Sequence, residues 1–132
     1  MKYLLDTHVL LWYLFEEERL STDVSNLLKD AEVEVYISAV TFWEISVKHG
    51  IGKLNLKSVT PTQLPERCVS YGFKTLPLSP FEAASYFQLT STHHKDPFDR
   101  MLIWQAIHNN FTLISNDGNM PPYVSDGLKL LW

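Results

Sequence analysis

Short apolar runs that stop at a polar residue, each followed by a segment with the start signals of a helix, recur along the whole chain and set its architecture. Tyr3-Leu4-Leu5 stops at Asp6, and Val9 to Phe15 then stays apolar for the length of a buried helix, closed by Glu16-Glu17-Glu18-Arg19. Ser21 or Thr22 can cap a second helix through Leu27-Leu28, and Val33 to Ile37 alternates like a strand. A third helix follows, with Thr41 and Glu44 at capping-box spacing and Gly50 at its C-terminal end. From Gly50 to Pro65 turn-forming residues dominate, and a helix is expected over Gln63 to Tyr71. Phe73 to Leu78 reads as a strand broken at Pro77, which suits a sheet edge. Ser79-Pro80-Phe81-Glu82 combines an N-cap, a proline at the first helical position and a capping-box Glu. Asp96-Pro97-Phe98-Asp99 repeats that grammar before Met101 to Ile107, and Phe111 to Ile114 and Leu128 to Trp132 close the chain as strands. Such alternation predicts an α/β fold with a mainly parallel central sheet flanked by helices. Its 132 residues, without repeats or linkers, predict one domain spanning 1–132.

Composition narrows the class further. Hydrophobic residues make up 45% and charged residues 20%, which excludes a disordered or low-complexity chain. A single cysteine, Cys68, cannot make an internal disulfide. Asp6 and His8 interrupt the first apolar stretch, leaving a run too short for a secretory signal or a bilayer span, so a cytoplasmic protein without membrane association is expected. The formal charge is −4, which by itself does not favour a phosphate-rich partner.

The polar residues that immediately follow predicted strands are acidic. Asp6 follows the first strand, Glu44 lies early in the helix after the second, Asp99 opens the helix after His93-His94-Lys95, and Asp117 follows Phe111 to Ile114. Functional groups of open α/β sheets gather beyond the carboxyl ends of the strands, so one sheet would bring these four together. Carboxylates packed closely repel and take up protons unless a cation joins them, and an oxygen-only set suits Mg²⁺ or Mn²⁺. Each acid also has a local reading. Asp6 and Asp96 can cap helices, Glu44 can box with Thr41 or pair with Lys48, Asp99 can serve the helix dipole, and Asp117 can form a turn before Gly118. If the four are set aside, acidic and basic residues balance, so the charge excess equals the candidate site. His93-His94 lack the spacing of a zinc pair and are expected in a solvated loop, with phosphate contact as the alternative; Trp12, Trp43 and Trp104 are expected in the core or an interface rather than stacked on bases.

Four blocks carry a family resemblance. Leu4-Leu5-Asp6-Thr7-His8, Glu44 within Ser38 to Ile45, His94-Lys95-Asp96-Pro97-Phe98-Asp99-Arg100-Met101-Leu102-Ile103, and Leu113-Ile114-Ser115-Asn116-Asp117 resemble the motifs of PIN-domain ribonucleases, and among these the VapC-type toxins of type II toxin–antitoxin systems. The resemblance runs through nearly the whole chain, and its Asp-Pro-Phe-Asp-Arg block is the most specific. It implies a PIN-like fold and an Mg²⁺- or Mn²⁺-dependent endoribonuclease. Asp6, Glu44, Asp99 and Asp117 would be the catalytic acids and metal ligands, Asp6 and Asp99 foremost, with Asp96 beside them. Thr7, Arg100 and Asn116 would contact substrate, with Lys95 and Lys48 near the ligands; Asn116 stands where many relatives carry a basic or small residue. The implied partners are RNA, a second copy in a homodimer, and a VapB-type antitoxin that places a cationic side chain in the acidic cleft near Trp12 and Phe15. The competing reading within the fold is a catalytically silent RNA- or protein-binding module, against which retention of all four acids argues. A haloacid-dehalogenase-type phosphohydrolase would need a second Asp where His8 stands.

Overall fold

The computed structural model describes residues 1–132. Five short strands form one wholly parallel sheet: β1 (Lys2–Leu5), β2 (Glu34–Ser38), β3 (Lys74–Leu76), β4 (Thr112–Ile114) and β5 (Lys129–Leu131), in the order β3-β2-β1-β4-β5. The chain builds outward from β1 through β2 to β3, then crosses back to β4 and β5. The strand order therefore reverses between β1 and β4, where a crevice opens at the carboxyl ends. β3 is the edge strand, shorter than the expected Phe73 to Leu78: it stops at Leu76, before Pro77, whose missing N–H cannot continue a ladder.

Alternation along the strands divides the core in two. Tyr3, Leu5, Val35 and Ile37 face one cluster, which receives Val9 and Leu10 of α1 (Thr7–Phe15), Val24 and Leu28 of α2 (Thr22–Leu28), and Leu64 and Cys68 of α4 (Leu64–Ser70). Leu4 and Leu113 face the other, filled by Leu102, Ile103 and Ala106 of α6 (Pro97–Asn109), together with Phe111, Met120 and Tyr123. α3 (Ala39–Gly50) sends Ile45 to the first cluster and Val40 to the second. The short α5 (Pro80–Ser85) lies against α6. No helix is long and apolar enough to cross a membrane.

The helix starts follow local chemistry. Ser21, Ser79 and Asp96 each accept backbone N–H bonds as N-caps, Ser79 and Glu82 forming the full capping box. The third helix departs from expectation. Ser38, the last residue of β2, caps it through the Val40 N–H, so the helix begins at Ala39 and Thr41 is already inside it. Glu44, no longer a capping residue, turns to the crevice.

Candidate active site

Asp6, Glu44, Asp96, Asp99 and Asp117 line one cleft of about 340 Å³ together with Thr7, His8, Lys48 and Lys53. Carboxylate oxygens of Asp6, Asp99 and Asp117 lie within 4.8 Å of one another, close enough to share one small cation. Glu44 stands beside this trio. The structure therefore unites acids that lie 38, 55 and 18 residues apart in the chain.

Each carboxylate is fixed differently. Asp6 is buried at the end of β1, where its own N–H donates to Ile114 O of β4. It caps α1 by accepting the Thr7 N–H at 2.8 Å, and its second oxygen accepts Ser115 Oγ at 2.6 Å. Ser115 also accepts the Asp117 N–H at 3.1 Å, so one hydroxyl ties Asp6 to the loop that carries Asp117. Glu44 accepts Thr7 Oγ1 at 2.7 Å, with Thr41 Oγ1 3.1 Å from that hydroxyl, and its other oxygen is paired with Lys48 one turn on. Burial works against the Lys48 charge, but its hydrogen bond to Glu44 and the nearby Asp96 and Asp99 outweigh that and raise its pKa above the lysine norm. Asp96 spends Oδ1 on the N–H groups of Phe98 and Asp99 as the cap of α6.

Asp99 carries the electrostatic cost of the cluster. Burial, then the charges of Asp6, Asp96, Glu44 and Asp117, push its pKa up to about 8, so near neutral pH it retains a proton unless a cation compensates. A buried group of oxygen donors that cannot all ionise alone fits a hard divalent ion.

Two histidines that sequence reasoning left outside the site touch its ligands. His8 Nε2 accepts the Asn116 N–H at 3.3 Å, which puts its Nδ1 proton toward Asp6 Oδ2, also 3.3 Å away. His94, expected in a solvated loop, is largely buried, with Nδ1 2.9 Å from the Tyr123 hydroxyl and Nε2 3.5 Å from Asp99 Oδ2. Their signal was adjacency: His8 lies two residues after Asp6, and His94 two before Asp96. Ser115, opening the Ser115-Asn116-Asp117 segment after β4, and Lys53, on the cleft wall, were also missed.

The expected substrate contacts separate. Asn116 is exposed at the rim, whereas Thr7 is buried and spends its hydroxyl on Glu44. Arg100 must be corrected: its buried guanidinium donates to Leu89 O at 2.7 Å, Tyr86 Oη at 2.9 Å, Tyr123 Oη at 2.9 Å and Ser91 O. With four of its five N–H groups spent inside the protein and no place in the cleft lining, it anchors the 89–95 segment that leads into Asp96. Lys95 is exposed and outside the cleft lining, and burial pushes the Cys68 thiol up to about 11, too high for a nucleophile near neutral pH.

A parallel α/β sheet with a carboxylate-lined crevice at its switch point defines a class of acidic-site folds. The PIN domain model matches residues 3–123. The chain belongs to the PIN-domain family. It is 27% identical over 114 residues to Ribonuclease VapC22 of Mycobacterium tuberculosis (strain ATCC 25618 / H37Rv), covering 86% of this chain and 85% of that protein. In fold it matches VapBC2 from Rickettsia felis bound to a promoter DNA fragment, with a TM-score of 0.72 and 18% identity over 99% of this chain and 98% of that one. It also matches VapBC-1 from nontypeable Haemophilus influenzae, with a TM-score of 0.70 and 17% identity over 99% and 97%.

Proposed function

We propose that the chain is a divalent-metal-dependent endoribonuclease, using Mg²⁺ or Mn²⁺, and the toxin of a toxin–antitoxin pair. The observation that carries this reading is the convergence of Asp6, Asp99 and Asp117 within 4.8 Å at the switch point of the sheet. Asp6 and Asp99 would hold the ion, with Asp117 as third ligand and Glu44 alongside. When bound, the ion supplies positive charge and Lewis acidity beside the scissile phosphodiester. The chain's own groups supply the rest. Ser115 and the Thr7 N–H hold Asp6 in one orientation, so the site need not reorganise as charge develops. Both Glu44 oxygens are engaged, by Thr7 and Lys48, which favours a holding role over proton transfer. Asp117 Oδ1 accepts the Asn119 N–H, which holds the carboxylate in place to complete the shell or to orient the attacking water. Lys53, on the cleft wall, and the exposed Asn116 would contact the RNA backbone. Single-stranded loops are the expected substrate, because their backbone can be splayed into a cleft of this size.

The solved structures it resembles in fold include toxin–antitoxin complexes, and a second cavity suits such a partner. Leu11, Trp12, Phe15, Leu54 and Leu56 line a groove of about 210 Å³, edged by Glu16, Arg19, Asn55 and Lys57, that adjoins the acidic cleft through Leu11 and Leu54. An antitoxin helix in this groove would carry a cationic side chain into the carboxylates, and its inhibition should weaken as Mg²⁺ rises. A homodimer belongs to the same reading, with exposed Trp43 and Val47 on one face of α3 and exposed Ile51 just past its end as the candidate surface; a monomer in light scattering at high concentration refutes it. The nuclease reading is tested by incubating purified protein with cellular RNA and mapping the new ends. Cleavage that stops with chelator, returns with Mn²⁺ and is lost in Asp6→Asn supports it; cleavage indifferent to chelator overturns it.

A further inference from the structure

The proposed metal site does not account for the chain of polar contacts that runs from Arg100 through Tyr123 and His94 to Asp99. Arg100 Nη1 donates to the Tyr123 hydroxyl at 2.9 Å. A guanidinium has no acceptor, so the tyrosine oxygen must receive there and its own proton is free to go elsewhere. His94 Nδ1 lies 2.9 Å from that hydroxyl, and the alternative acceptor, the His94 carbonyl, is longer at 3.4 Å. A neutral imidazole that accepts at Nδ1 carries its hydrogen on Nε2. His94 Nε2 is shut off from solvent, has no hydrogen-bond partner, and has Asp99 Oδ2 3.5 Å away. With Asp99 ionised, as a bound cation would hold it, the opposite tautomer would set a nitrogen lone pair against a carboxylate oxygen.

We propose that Arg100 and Tyr123 fix His94 as the Nε2–H tautomer, which makes it a positioning residue that aims the Asp99 carboxylate at the metal site. The inference rests on the reading of Asp99 as a metal ligand. It gives two buried groups a role beyond packing: Tyr123 relays orientation from Arg100, and the same guanidinium holds the 89–95 segment that carries His94. A donor behind a ligand carboxylate limits its rotation and selects the oxygen presented to the ion.

The test uses the full chain labelled with ¹⁵N-histidine, free of metal and held above pH 8, where Asp99 is ionised. Nitrogen shifts in the wild type are expected to show His94 protonated at Nε2 and bare at Nδ1, and Tyr123→Phe should move them toward a mixture of tautomers. Calorimetry with Mn²⁺ alone supplies the second readout. His94→Phe and Tyr123→Phe should weaken binding by about ten-fold. His94→Gln, which keeps an N–H near the Nε2 position, should stay within about three-fold of wild type. A proton on Nδ1, or on both nitrogens, in the wild type overturns the proposal. So does unchanged Mn²⁺ affinity in folded Tyr123→Phe, and the wild-type spectrum decides the tautomer even if a His94 variant does not fold. A wild type that binds Mn²⁺ but cleaves no RNA refutes the nuclease reading alone, whereas one that binds no Mn²⁺ refutes the metal reading and this inference together.

Discussion

Replacing Asp99 with Asn should stabilise the metal-free protein while removing its metal site, and the size and pH dependence of that gain follow from the cluster. Burial and four neighbouring carboxylates hold the Asp99 pKa at about 8, against about 4 in an unfolded chain. Below pH 4 the residue is protonated in both states and contributes no difference. Between pH 4 and 8 the unfolded chain sheds the proton that the native state keeps, so native stability falls as pH rises, and the whole penalty is present above pH 8. Taken at face value the shift would cost about 5 kcal/mol, but the cleft is open to water, and screening reduces this to about 2 kcal/mol. Asn is nearly isosteric with the protonated acid and does not titrate. In EDTA, Asp99→Asn should therefore melt only about 2 °C above wild type at pH 5 and about 6 to 10 °C above it at pH 8. Saturating Mn²⁺ should reverse the order, since ion at about a hundred times its dissociation constant adds about 2.7 kcal/mol to a native state that binds it. Circular dichroism melts of both proteins at pH 5, 6.5 and 8, with EDTA or Mn²⁺, provide the comparison. A variant that melts below wild type at pH 8 in EDTA, or a difference independent of pH, would refute the reasoning.

Other perturbations separate support of the site from support of the fold. Thr7→Val removes the hydroxyl between Glu44 and Thr41 and should cost about 1 to 3 kcal/mol in denaturant unfolding, with reduced RNA cleavage at unchanged secondary structure. Ser79→Ala deletes the cap of α5, far from the cleft, and should cost about 1 kcal/mol while leaving cleavage unaltered. Arg100→Lys keeps the charge but loses the fork that reaches Leu89, Ser91, Tyr86 and Tyr123, so hydrogen exchange should accelerate over residues 89–95 before it does in the sheet. Leu4→Ala in the central strand should cost about 2 to 5 kcal/mol, seen as a lower urea midpoint.

The sheet and its caps were legible in the sequence because each rests on local chemistry. Ser79-Pro80-Phe81-Glu82 forms the capping box its spacing predicts, and Pro77 marks the edge strand. The placement of Asp6 and Asp117 also followed, because the strand before each predicts which end of the sheet it occupies. Other features depend on which surfaces meet. Thr41 and Glu44 have capping-box spacing, but the β2–α3 junction is tighter than the pattern suggests, and Ser38 takes the cap. Arg100 lies beside a metal-ligand candidate in sequence but turns away from the cleft, where only the fold supplies Tyr86 and Tyr123. His94 next to His93 looks like loop polarity until Tyr123, 29 residues on, is packed against it.

The central claim, that acids from separate elements form one divalent-cation site, is tested most directly by titrating Mn²⁺ into wild type, Asp6→Asn and Asp99→Asn by calorimetry at pH 8. Circular dichroism should first show each variant folded. If the site is as described, wild type binds saturably and each single variant loses at least about ten-fold in affinity, since an ion held by few carboxylates cannot replace one of them. Undiminished affinity in both folded variants would contradict it.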